Sequence, residues 1–218
     1  MNQSERRLFL IRALLRESHH AQEIPPDSDG QRLFLRGLMN IRRPQETPAE
    51  LLRVQDEYLQ AETAAKGITD IADLTPIQPG LYLWQGDITT FRCDAIVNAA
   101  NSGLTGCYIP NHHCIDNAIH TYAGIELRLA CMEQIAAQGR LETAAANDLE
   151  SVAFCCISTG EFHFPNETAA EIAVRTVKEF LAKQTIVRKV IFNVFKDMDR
   201  EIYTRLLHTD SASEGSSR

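Results

Sequence analysis

No apolar run in this 218-residue sequence approaches the ~18–20 residues that a membrane-spanning helix needs. The start, MNQSERRLFLIRALLRE, interleaves charges with apolar residues. It lacks the continuous apolar stretch and small-residue cleavage site of a signal peptide, which predicts a cytoplasmic protein. Basic residues are outnumbered, 22 Lys and Arg against 29 Asp and Glu, giving a net charge of −7 and a pI near 5.5. Such a chain is not built to neutralise phosphates over a wide surface, which disfavours general nucleic-acid binding. A small phosphorylated ligand in a local pocket remains compatible, because backbone N–H groups can replace basic side chains. There is no internal repeat, and the composition excludes collagen-like, coiled-coil and wholly disordered chains.

What is present is the balance of a globular protein, 44% hydrophobic and 23% charged, long enough to bury a core without staples. The six cysteines are read as thiols or metal ligands, not as a disulfide framework. Residues 1–75 read as a helical extension. Leu8, Ile11, Leu14 and Leu15 recur at helical spacing, residues 21–30 form a Pro/Gly loop, and a second helix fits 31–40. Thr47-Pro48-Ala49-Glu50 reads as a capped start with Pro at the first helical position, for a helix to about Ala65. From Leu81 the pattern alternates. Strands are expected at Leu81–Trp84, Ala95–Val97, Val152–Ile157 and Val187–Phe195, and helices at 114–137, 141–148, Ala169–Leu181 and Asp199–Leu207. This order predicts an α/β sandwich over 76–208, followed by a disordered polar tail at 209–218.

The densest chemistry lies in Cys107-Tyr108-Ile109-Pro110-Asn111-His112-His113-Cys114. Thiolate and imidazole together suit tetrahedral zinc. Cys107, His112 and Cys114 would leave one coordination position open if His113 points away, the layout of a catalytic zinc. The alternative is two buried thiols beside surface imidazoles, since this spacing is not that of a standard finger. Further candidates follow strands, where open α/β sheets bind ligands. They are Gly86-Asp87-Ile88-Thr89, Asn98-Ala99-Ala100-Asn101, Ser158-Thr159-Gly160-Glu161-Phe162 and Asn193-Val194-Phe195. Asn suits ribose hydroxyls, Asp an adenine amino group, and a small-residue turn a diphosphate. Each has a plainer reading. Asp and Asn form turns, and Phe is usually core. Cys93, Cys131, Cys155 and Cys156 are read as packing residues, with Cys155 and Cys156 on opposite faces of a strand. Glu161 and His163 are acid/base candidates. His19 and His20 are read as surface residues ending a helix.

Three segments taken together resemble the macrodomain family, which binds ADP-ribose. They are LYLWQGDITTFRCDAIVNAANSGLTGCYIPNHHCIDNAIHTYAGIELRLAC at 81–131, AFCCISTGEFHFPNETAAEIAV at 153–174 and KVIFNVF at 189–195. The GCYIPNHHCIDNAIH stretch is similar to the zinc-containing subgroup, whose members also carry a helical N-terminal extension. The resemblance implies a three-layer α/β/α sandwich with a mixed sheet. It also implies a zinc-dependent, glycosidase-type hydrolase that removes ADP-ribose, expected to be Asp/Glu-linked mono-ADP-ribose, from protein side chains. Its partners would be a lipoylated carrier protein and a sirtuin-type transferase.

Carried over by position, Asp87 and Ile88 would hold the adenine, with Phe195 beside it. Asn98 would support its loop and Asn101 would face the distal ribose. Ser158, Thr159, Gly160, Glu161 and Phe162 would wrap the diphosphate. Cys107, His112 and Cys114 would ligate zinc, with Asn101 and these three forming the catalytic set and His113 a bystander. One departure stands out. In this family the long helix is followed by a loop, a central strand resembling KYVIHTVGP and part of another helix, whereas here CMEQIAAQG runs directly into RLETAAANDLESVAFCC. The sequence therefore implies an internal deletion near residues 139–141 and a sheet one strand short. The alternative function is a non-catalytic ADP-ribose-binding module disabled by that deletion.

Overall fold

The computed structural model describes every residue except 20, 139–146, 161, 184 and 210–218. Among the described residues no helix is long and apolar enough to cross a membrane. The chain divides into two compact units, one of Met1–Gly67 with Ala100–Leu141 and one of Ile68–Ala99 with Glu142–Arg218.

The first unit begins with three helices, α1 (Gln3–Ser18), α2 (Ser28–Ile41) and α3 (Ala49–Lys66). Their apolar faces meet in one core. Leu10, Ile11 and Leu14 pack with Leu35, Leu38 and Met39 and with Leu51, Val54, Tyr58 and Leu59. Helix starts follow local chemistry. Asn2 and Glu5 form a reciprocal capping box on α1, and the Asp27 side chain caps α2. The expected cap at Thr47 is not formed. Pro48 has extended backbone and is itself the residue flanking α3, and the Thr47 hydroxyl instead donates to the Gln45 carbonyl. Residues 68–75, expected within the helical segment, hold a two-residue strand and a short 3-10 turn.

The long helix expected over 114–137 is two helices, α4 (Ile115–Tyr122) and α5 (Leu127–Gln138). Gly124 interrupts them at φ +97°, a conformation L side chains rarely adopt. Gln55 of α3 secures the break, accepting from Ile125 N–H at 2.8 Å and donating to Glu126 at 2.9 Å.

Among its described residues the second unit holds the strands β1 (Thr69–Asp70), β2 (Leu81–Gln85), β3 (Phe91–Arg92), β4 (Ala95–Val97), β5 (Ser151–Phe154) and β6 (Lys189–Val194). With them go the helices α6 (Asn166–Leu181) and α7 (Asp197–Thr209). The main sheet has the order β2-β6-β5-β4, and β1 pairs with β3. Every strand pairing here is parallel, so among the described residues no strand makes the sheet mixed. Among the described residues each neighbour in this order is hydrogen-bonded to the next, and β4 is the edge.

Alternation places Leu81, Val152, Val190, Phe192 and Val194 in one core with Ala170, Val174 and Val177 of α6 and Tyr203 and Leu207 of α7. Asp94 pins β5 beside β4, accepting from Ser151 N–H and its hydroxyl at 2.8 Å each. Strand β5 ends at Phe154, short of the expected Ile157. Cys155 and Cys156 therefore lie just beyond the ladder and address different neighbours, Cys155 donating toward Val97 O and Cys156 toward Asn193 O. Most of the helical piece expected at 141–148, the break near 139–141 and most of the 209–218 tail lie outside the described residues.

Candidate functional site

Within the first unit, the loop before α4 brings Cys107, His112 and Cys114 together. Their ligand atoms lie within 4.8 Å of one another, and Cys107 Sγ is 3.6 Å from His112 Nδ1. This set of two thiols and one imidazole fits a single tetrahedral metal ion with one position left for another ligand. His113 is exposed and lies outside the group, as its bystander reading expects.

Local chemistry shapes the loop. Asn111 adopts φ +55° and Gly106 φ +88°, and a Cβ on Gly106 would overlap the His120 ring at 2.6 Å. Cys114 is the N-cap of α4, its Sγ accepting from Asn117 N–H at 3.4 Å. Asn101 organises the turn ahead of the loop. Its Oδ1 accepts from Gly103 N–H at 2.9 Å, and its Nδ2 donates to Gly106 O at 3.1 Å.

Within the second unit, the remaining candidates follow the carboxyl ends of parallel strands. Asp87 ends the β2 loop and caps a 3-10 turn, Oδ1 accepting from Thr89 N–H at 3.0 Å and from its hydroxyl at 2.6 Å. The turn-forming reading of Asp87 is thus realised, and Ile88 beside it is buried. Asn98 directly follows β4 and is half-buried.

After β5, Ser158 takes φ +66°, Thr159 Oγ1 donates to Cys156 O, and Phe164 and His163 N–H donate to Ser158 and Gly160 carbonyls. The result is a tight turn with open space over Gly160. Glu161 lies outside the described residues. Phe162 and Phe195 are 70% and 74% exposed, so Phe195 is not the core residue its type favours. His163 is exposed, and no described contact gives it an acid/base partner.

The family model described as Macro domain matches residues 97–147 and 136–173. The chain is 43% identical over 260 residues to a protein-ADP-ribose hydrolase of Treponema medium, covering 95% of this chain and all of that protein. The chain belongs to the macro domain family. A protein-ADP-ribose hydrolase of Staphylococcus aureus (strain Mu50) is 38% identical over 254 residues, covering 93% of this chain and 95% of that one. A mutant of the Oceanobacillus iheyensis macrodomain, solved with ADPR, shares the fold at a TM-score of 0.54. It is 26% identical, covering 64% of this chain and 98% of that one.

In this macrodomain the surroundings of the Cys107, His112 and Cys114 cluster set its electrostatics. Burial pushes the Cys114 thiol up and Cys107 adds to that, while Asn117 N–H pulls the other way. Behind them, Asp116 and His120 are buried with Nε2 3.6 Å from Oδ1. Burial pushes His120 down, Asp116 opposes this, and Arg128 reinforces it.

The sequence reading missed Arg36, Asn40, Asn117 and Arg128, all of which touch the loop. Their only sequence signal is polarity within otherwise apolar helical runs. Their partners lie 8 to 88 residues away.

Proposed function

We propose that this macrodomain is a zinc-dependent hydrolase that removes ADP-ribose from ADP-ribosylated protein side chains. The observation that carries the reading is the three-donor cluster of Cys107, His112 and Cys114 in a chain with this family membership. Relatives named protein-ADP-ribose hydrolase, and a relative solved with ADPR, support the substrate class. Asp87 and Ile88 take the adenine with Phe195 beside it. The turn from Ser158 through Phe162 offers backbone N–H groups to the diphosphate. Asn98 supports its loop, and Asn101, held by Gly103 and Gly106, presents its amide to the distal ribose. Cys107, His112 and Cys114 hold the metal. Zinc bound there supplies Lewis-acid polarisation or a water deprotonated near neutral pH. The linkage cleaved is an ester to Asp or Glu. The carrier is a lipoylated protein modified by a sirtuin-type transferase, in the cytoplasm.

The test is release of free ADP-ribose from an Asp/Glu-ADP-ribosylated protein by the purified chain, with and without a strong zinc chelator. Chelator-sensitive release is expected. A second reading, an ADP-ribose-binding module without turnover, draws on one observation. The alignment to the Treponema medium relative runs over 260 residues although this chain has 218, so that relative has residues without a counterpart here. Calorimetric ADP-ribose binding with no release would select that reading.

A further inference from the structure

Besides its internal turn bond from His112 N–H to the Ile109 carbonyl, the backbone of the Cys107–Cys114 loop is held from outside itself. Arg36 of α2 donates from one guanidinium nitrogen to the His112 carbonyl at 3.1 Å and to Asn117 Oδ1 at 2.8 Å. Asn117 in turn donates to the Ile109 carbonyl at 3.0 Å. Asn40 of α2 accepts from Asn111 N–H at 2.9 Å and donates to Thr121 at 3.0 Å. Arg128 of α5, 2% exposed, donates to the Thr105, Cys107 and Asn40 carbonyls at 2.6, 2.9 and 2.9 Å. Its guanidinium also lies 4.1 Å from the centre of the Tyr108 ring. Two of the three ligand residues, Cys107 and His112, thus have their carbonyls taken by arginines.

We infer that the helical N-terminal segment is a working part of the metal centre. Arg36 and Asn40 of α2, with Arg128 of α5, are positioning residues that hold the Cys107–Cys114 loop in its ligating form. The inference rests on the zinc reading above. The physical case is preorganisation. A loop of this length has many conformations, and each ligand must be fixed for one ion to meet all three. Asn111 is held at positive φ, a cost an Asn tolerates but does not seek. A residue whose hydrogen bonds go to the carbonyl of a ligand, and not to the ion, sets where that ligand stands. Loss of such partners typically costs ~10–100-fold in metal affinity or activity. Lys cannot substitute fully for Arg36, because Nε and Nη2 of the planar fork both meet Asn117 Oδ1, at 3.3 and 2.8 Å, while Nη2 also reaches the His112 carbonyl.

The experiment measures zinc affinity by competition with a chromophoric chelator, together with the ligand-field spectrum of the cobalt-substituted chain. It compares the parent, Arg36→Met, Arg36→Lys, Asn40→Ala and Arg53→Met, an arginine exposed on α3 that pairs with Glu57 instead. Arg36→Met is expected to weaken zinc ~10–100-fold and to alter the cobalt bands. Arg36→Lys should fall between it and the parent, and Arg53→Met should match the parent. The rise in melting temperature on adding zinc should shrink in Arg36→Met, a difference within each variant that general destabilisation does not mimic. If Arg36→Met fails to fold, Arg36→Lys carries the same test. Parent-like zinc affinity and cobalt bands in the folded Arg36 variants would overturn this inference alone. A parent chain that holds no zinc, or a Cys114→Ser chain that holds it equally well, would overturn the metal reading and this one with it.

Discussion

Cys114 stands at the meeting of two requirements. Its Sγ caps α4 through Asn117 N–H, and the same atom belongs to the three-donor group. Serine is a strong N-cap but a poor soft-metal ligand. Cys114→Ser is therefore expected to keep the fold and most of the ADP-ribose affinity while zinc content and turnover fall to background, as metal analysis, calorimetry and product release would show. Turnover at the parent rate in that variant would remove zinc from the mechanism.

Cys156 predicts a pH effect of a different kind. Burial pushes its thiol up to about 12, and Asp199 adds to the shift. A folded pKa raised above the unfolded value gives stability that is present below the unfolded thiol range and lost as pH rises from about 9 toward 12. The melting temperature should fall over that window, and Cys156→Ala should flatten the fall. At this scale the sequence was legible where residues adjacent in the chain share a task. Cys107, His112 and Cys114 are one loop, and His113 between two of them turns outward. It was not legible for Arg36 and Asn40, whose partners come from 71 to 88 residues further on.

At the scale of elements, periodicity located the helices, but their ends depended on backbone detail. The run from Ile115 to Gln138 is helix-like throughout in composition, and only one glycine marks the break. Gly124→Ala is expected to destabilise the chain by ~1–3 kcal/mol in thermal or urea unfolding, because φ +97° is strained for any Cβ and the new atom would stand 2.5 Å from Gln55 Nε2. An unchanged midpoint would mean that the turn adjusts without cost. The expected strand at Val152–Ile157 is apolar to its end, yet the ladder stops at Phe154, opposite Val97 at the end of β4. Hydropathy reports burial, and Cys155 and Cys156 are partly buried without being strand.

For the whole molecule, the residues proposed as metal ligands belong to one unit and those proposed for adenine and diphosphate to the other. Chelation should therefore abolish ADP-ribose release while leaving ADP-ribose binding within a few-fold, measured by calorimetry on the same sample. Parallel loss of both would tie nucleotide binding to the metal. The sheet order carries a kinetic consequence. Among the described residues, strand β2 pairs only with β6 in the main sheet, and β6 also pairs with β5. More than a hundred residues separate Leu81 from its partner Val190, whereas the cluster joining α1, α2 and α3 draws mainly on residues 10–59. Non-local pairing is slow because loop closure precedes any reward. During synthesis the three helices can settle early, while β2 waits on the ribosome for almost the entire chain, its edges open to wrong partners until Lys189–Val194 emerges.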